Sequence, residues 1–291
     1  VLLGHIGGDG SVVKTGPGAV TFTGSKNYAG GTTVQGGLLI ANDGGGDTHT
    51  FRGFGSGAIN IDAGATVFAN NNSGSGFNNF TNDVTGQGTF RIGGSSVNRT
   101  LLNASLSNFT GMVDIVSRNV QFTSAVNTTA AVNVSSGAVF SAWTVHGTPT
   151  IGALSGSGTL AAVVNGNAFF VIGNGGGSGN FSGNISNSGT VGITKIGTGT
   201  QILSGNNTYT GVTAINAGTL QVGNGGNSGT LGTGAVTVAS GANLDFFRTT
   251  TNNALFTISN AISGAGTVNF HATGESSRGN YALSGNNALT G

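Results

Sequence analysis

With 57 glycines among 291 residues but only two prolines, no cysteine and 6% charged residues, the chain is neither collagen, which needs a strict Gly-X-Y period, nor a typical disordered polymer, which is rich in charge and proline. Nine Lys and Arg nearly balance eight Asp and Glu, for a formal charge of +1, and are scattered singly, so the basic stripe of a nucleic-acid partner is missing. No apolar run reaches the roughly 18 residues of a membrane-spanning helix, and the absence of cysteine is compatible with export through a reducing compartment. The sequence opens on Val1 without an initiator Met or signal peptide and reads as a piece of a longer polypeptide.

From Lys14 the chain reads KTGPGAVTFTGSKNYAGGTTVQGGLL. Its short β-branched runs, bounded by Gly and Asn, predict strands with Val20, Phe22 and Val34 inward. The next segment, NDGGGDTHTF from Asn42, reads as a surface loop carrying Asp43, Asp47 and His49. A calcium-binding loop would need tandem copies, and there is one. GAINIDAGAT from Gly57 predicts a strand with Ile59 and Ile61 inward and Asn60 outward, followed by a turn holding Asp62. The asparagine-rich stretch 70–82 suits amide ladders between stacked strands. VTGQGTF follows from Val84.

A second large repeat begins near 101 and carries FTG at Phe109. AAVNVSSGAV from Ala130 places Val132 and Val134 inward. Phe140 and Trp143, beside His146 and Pro149, read as core or edge packing, with an exposed sugar platform as the alternative. LSGSGTL from Leu154 and ISNSGTV from Ile185 are further landmarks, and GNGGGSGN at 173–180 is a Gly/Asn turn without a P-loop lysine. KIGTGTQILSGNNTYTGVTAINAGTL from Lys195 then aligns without gaps on the Lys14 segment, at a constant offset of 181. Alternation puts Ile202, Leu220 and Val222 inward, then Val236 and Val238 in GAVTVASGAN, Ile258, and Val268 after ISGAGTV. LSGNNALTG from Leu283 repeats LSGNNTYTG from Leu203.

Large repeats therefore start near 14, 101, 195 and 283. In the last complete one the landmarks Tyr209, Ala235, Ile262 and Leu289 lie 26, 27 and 27 residues apart. Such units are too short for propeller blades and fit the rungs of a parallel β-solenoid stacked about 4.8 Å apart. The expectation is an all-β chain of about eleven rungs of roughly 22–30 residues, forming one solenoid segment over 1–291 of a longer repetitive protein.

Little in the chain looks like chemistry. Asp9, Asp43, Asp47, Asp62, Asp83, Asp114, Asp245 and Glu275 are expected as isolated turn carboxylates, since convergence on a groove would need matched positions in successive rungs. His5, His49, His146 and His271 share no metal-ligand spacing. There is no nucleophile elbow among the serines. The Asn98, Asn103, Asn108 and Asn184 glycosylation triplets are expected by composition alone, and the Thr198 and Thr200 pair does not recur rung by rung. No catalytic, cofactor-binding or metal-binding residue is assigned and no cofactor is expected. The function expected is structural or adhesive. The alternative is a β-helical enzyme acting on polysaccharide.

The long phrase from Lys195 to Leu220, and the similar one from Lys14, resemble the passenger-associated transport repeat (the autotransporter-associated β-strand repeat) of bacterial autotransporters. The resemblance implies a right-handed β-helix exported across a Gram-negative outer membrane, displayed at the cell surface or released, and acting as an adhesin or as part of an extracellular fibre. It implies a surface ligand, a glycan or further copies of the same protein end to end as partners.

Overall fold

A computed structural model describes residues 1–43, 50–72, 78–95, 99–123, 126–163, 166–186, 188–249, 255–271 and 280–290. The chain is all-β, a parallel β-solenoid of about 11 turns. By compactness it divides into two units, Val1–Ser141 and Ala142–Gly291. The helical elements among the described residues are the three-residue turns Thr144–His146 and Asn174–Gly176.

In the first unit the largest sheet stacks Ala19–Thr23, Leu38–Asp43, Thr66–Asn71, Thr89–Gly93, Met112–Ile115 and Ala131–Val134. Its register aligns Val20, Leu39, Val67, Phe90, Val113 and Val132 in one row. Phe22, Ala41, Ala69, Ile92, Ile115 and Val134 form a second row two residues on. Side chains alternate along a strand, so both rows face inward, and all their members except Val20 are buried. Each buried Val, Leu, Ile or Phe contributes about 1.5–3 kcal/mol, and stacking apolar rows repeats the gain from turn to turn. Turn length varies, from 132 − 113 = 19 residues between the paired Val113 and Val132 to 67 − 39 = 28 between Leu39 and Val67. The strand register is the same in both.

A second sheet of this unit orders Val84–Gly86, Ile59–Ile61, Thr32–Val34 and Val12–Lys14. A third aligns Asn78–Phe80, Thr100–Leu102 and Asn119–Phe122. Aromatic rings fill the space between faces: Phe80 meets Phe90 with centroids 4.9 Å apart, and Phe122 meets Phe140 at 4.5 Å.

The second unit repeats the plan. Leu154–Gly156, Gly179–Phe181, Thr200–Leu203, Thr219–Val222, Asn243–Phe247 and Thr267–His271 form one sheet of six strands. A neighbouring sheet runs from Thr150–Ile151 through Asn167–Ile172, Thr190–Lys195, Thr213–Ile215, Val236–Val238 and Ile262–Gly264 to Ala288–Leu289.

Of the residues expected inward, Phe22, Val34, Ile59, Ile61, Val132, Val134, Leu220, Val222, Val236, Val238 and Ile258 are buried. Val20 and Val268 do face inward, in register with buried Leu39 and Leu244. They are half-buried because their strands are the outermost of their sheets. Ile202 is a correction: it pairs with Gln221 on the outer face, and its neighbours Gln201 and Leu203 are the buried ones.

Candidate functional site

The phrase repeated at offset 181 builds the same corner twice. Lys14 and Lys195 end strands and turn inward, 7% and 0% exposed. The Lys14 ammonium donates to the carbonyls of Thr15, Gly16 and Gly36 at 2.7–2.8 Å. Lys195 donates to those of Ile196, Gly197 and Ala217 at 2.7–3.1 Å. Three donors meet three carbonyls that the corner would otherwise orphan, two from the lysine's own turn and one from the next. The carbonyls can converge because Gly16 and Gly197 sit at φ +72 and +69, where a side chain is strained. Gly37 and Gly218 repeat the device one turn on, at φ +67 and +65, and a Cβ there would collide with the carbonyls of Gly18 and Gly197. Burial lowers the Lys195 pKa from its ordinary value.

The tyrosines of the phrase are buried as well. Tyr28 lies 2.5 Å from the Thr32 hydroxyl and Tyr209 lies 2.7 Å from that of Thr213. Burial raises the Tyr209 pKa, opposed by hydrogen bonds with Thr213 and the Gly232 backbone. In the repeated LSGNN, the second asparagine does equivalent work in both copies. Asn207 accepts from the Ile185 amide and donates to Gly205, while Asn287 accepts from the Ile262 amide and donates to Gly285. In the first copy Lys26 stands at this position and donates to the carbonyls of Gly4, Thr23 and Gly24, with its pKa lowered by burial.

The acids are spread over the surface, and most serve as links. Asp62 accepts from Asn60, Asp83 from the Ser105 amide, and Asp43 from Asn78. Asp114 on Met112–Ile115 and Asp245 on Asn243–Phe247 hold equivalent outward positions, which sequence spacing did not reveal. Each accepts at 2.7 Å from an asparagine one turn on, Asn133 and Asn269, and each faces a basic ring or fork, Arg91 at 3.1 Å and His271 at 3.8 Å. Asp9 and His5 are exposed. No group of three His, Cys, Asp or Glu that could hold a metal occurs among the described residues. Asp47, His49, Glu275 and Asn98 lie outside the described residues. The amide ladder expected of the asparagine-rich stretch exists at Asn70, which donates to Asn42 on the preceding turn at 2.7 Å.

The two corners coincide with the two matches to a known family, the passenger-associated-transport-repeat, over residues 12–41 and 193–222. The chain is also 31% identical over 261 aligned positions to the adhesin BmaC autotransporter of Brucella suis biovar 1 (strain 1330). This is autotransporter passenger sequence. The match covers 72% of the chain, and the chain spans 7% of that relative's length. No solved structure matches. As passenger sequence it belongs at the cell surface or outside a Gram-negative bacterium. No helix among the passenger's described residues is long and apolar enough to cross a membrane.

The aromatic cluster of the passenger separates into two kinds of residue. Phe140 is core, as expected. Trp143 is 36% exposed on the turn Thr144–His146, and its ring meets that of His146 edge-on with centroids 5.5 Å apart. Sequence reasoning missed the three corner lysines and Gln201. The signal for Lys14 and Lys195 was their recurrence at offset 181; nothing marked Gln201.

Proposed function

We propose that this chain is a structural and adhesive stretch of the passenger, a solenoid surface whose repeats, beginning near 14, 101, 195 and 283, act as successive pieces of one segment of a longer protein. The observation that carries the reading is the use made of the ionisable groups. All three lysines are committed to backbone carbonyls, and Asp43, Asp62, Asp83, Asp114 and Asp245 to neighbouring donors on the surface. General acid–base chemistry needs at least two such groups aimed at one substrate. That the relative is an adhesin agrees with a non-enzymatic role.

Beads coated with the purified chain should be retained saturably on cultured host cells, above beads coated with an unrelated β-solenoid. Retention no better than that control removes the adhesive reading. Release of reducing ends from a polysaccharide panel, abolished by one carboxylate-to-alanine change, would establish the enzyme instead.

A further inference from the structure

The chain has one tryptophan, and it is not in the core. Trp143 stands at the head of a closed turn in which its carbonyl accepts from the His146 amide at 2.9 Å, and the Gly147 amide donates to the Thr144 carbonyl at 3.1 Å. Underneath, the indole lies on Gly166, where a Cβ would come within 2.8 Å of Cδ1 and 3.0 Å of Nε1. His146 stands nearly perpendicular to it, with an interplanar angle of 78°. The two rings therefore make a fixed corner, with an apolar floor and a wall whose edge carries nitrogen. Val145 between them is exposed, and the turn lies against the strand Asn167–Ile172, which presents Asn167 outward, exposed, and Phe169 half-buried over Gly192. In a surface made mostly of Gly, Asn, Ser and Thr, an ordered aromatic patch of this kind marks an interaction site.

We propose that the Trp143–His146 corner binds the apolar face of a neutral sugar ring. The C–H face of a pyranose stacks on the indole, and its equatorial hydroxyls reach the indole N–H, the imidazole edge and the Asn167 amide, all donors or acceptors suited to hydroxyl groups. Neutrality follows from the surroundings: no Asp, Glu, Lys or Arg occurs between Arg118 and Lys195. A carboxylated or sulfated sugar would find no cation supplied by that stretch. The rigidity of the turn lowers the ordering cost that weakens most small sites. The assignment rests on the adhesive reading and names its ligand class.

Because Trp143 is the single tryptophan, its fluorescence reports the site directly. The 291-residue chain is titrated with neutral hexose and N-acetylhexosamine oligosaccharides, with their sialylated counterparts, and with phosphatidylcholine vesicles. A saturable emission change with at least one neutral oligosaccharide is expected. By calorimetry its affinity should fall about tenfold or more in Trp143→Ala, as for loss of an aromatic anchor. Trp143→Phe, which keeps a ring in place, should retain part of the binding, and His146→Ala should weaken it with an unchanged far-ultraviolet spectrum. No response to any neutral sugar, equal affinity in Trp143→Ala, or preference for the sialylated sugars or the vesicles overturns the proposal. If coated beads still adhere to cells as Trp143→Ala, the adhesive reading stands and this site falls. If the wild-type beads do not adhere, the adhesive reading falls whatever the titration shows.

Discussion

Tyr209 and Thr213 share a buried hydrogen bond of 2.7 Å between their hydroxyls, and Tyr28 and Thr32 share the same bond 181 residues earlier. Both copies thus keep the two hydroxyls together, as expected where a buried hydroxyl without a partner costs more than the bond gains. Tyr209→Phe and Thr213→Val should each destabilise the surrounding turns by about 1–3 kcal/mol, and the double variant by less than the sum. Urea unfolding of the four proteins measures the coupling; strict additivity would show that the pair is incidental.

All three lysines of the chain are buried, at 7%, 3% and 0% exposure for Lys14, Lys26 and Lys195, although lysine is normally a surface residue. An amine-reactive acylating reagent at neutral pH should therefore modify the folded chain at its N-terminal amine and leave the lysines largely intact, while the urea-unfolded chain should take up label at all three. Mass spectrometry of the digested protein decides. Rapid labelling of Lys195 in the folded chain would contradict the carbonyl clamp.

The lowered pKa of Lys26 and Lys195 has a signed consequence for stability. A lysine that sheds its proton more readily folded than unfolded makes the unfolded state the greater proton binder between the two pKa values. Stability should then rise with pH across the window below 10.5, the ordinary lysine value. Tyr209 acts in the opposite sense: its raised pKa lets stability fall only as pH climbs above the ordinary tyrosine value of 10.0. Replacing both lysines by Met should flatten the rise below that point. An unchanged slope would mean that desolvation of these amines is unimportant.

Gln201 lies in an inward row and bridges two turns. Its amide accepts from the Leu154 N–H at 3.0 Å and donates to the Leu154 carbonyl at 2.9 Å, past Gly179, where a Cβ would strike the Leu154 carbonyl. The side chain thus imitates a strand's peptide group. Gln201→Leu removes both partners, and each orphaned group costs about 1–3 kcal/mol. Amide hydrogen exchange at Leu154 should accelerate accordingly, whereas Ile202→Thr on the outer face should leave it unchanged.

Gln201 also shows where sequence reading stops. Periodic phrases reveal a solenoid because every turn must present apolar residues to the same interior, so Val236 and Val238 or Ile59 and Ile61 declare themselves by alternation alone. In TQIL the alternation offered Ile202 as the apolar choice. The polar Gln201 took the inner place because the backbone at Leu154 supplied its hydrogen bonds, a contact 47 residues away that no local pattern encodes. The lysines were hidden for the same reason, since their partners are carbonyls, and carbonyls carry no sequence signature. Trp143 and Phe140 look alike in the sequence. They part only because the strand ends between them and the turn Thr144–His146 carries Trp143 outward.

The inward and outward assignments can be tested at adjacent positions. Val236 is fully buried and pairs with Thr213 and Ile262, while Thr237 between the valines is exposed. Val236→Asp places a carboxylate in an apolar stack without a partner, which costs about 3–5 kcal/mol or forces the group to stay protonated. Thr237→Asp puts the same charge into water and should change stability by no more than about 0.5 kcal/mol. Because turns of a solenoid open locally as well as together, limited proteolysis is the better readout than a single melting curve. Val236→Asp should open new cleavage sites in the neighbouring turns at neutral pH and regain protection as the carboxyl is protonated in acid. Thr237→Asp should digest like the parent chain. Equal sensitivity of the two variants would place the strand Val236–Val238 in the opposite register and overturn the inner row built on it.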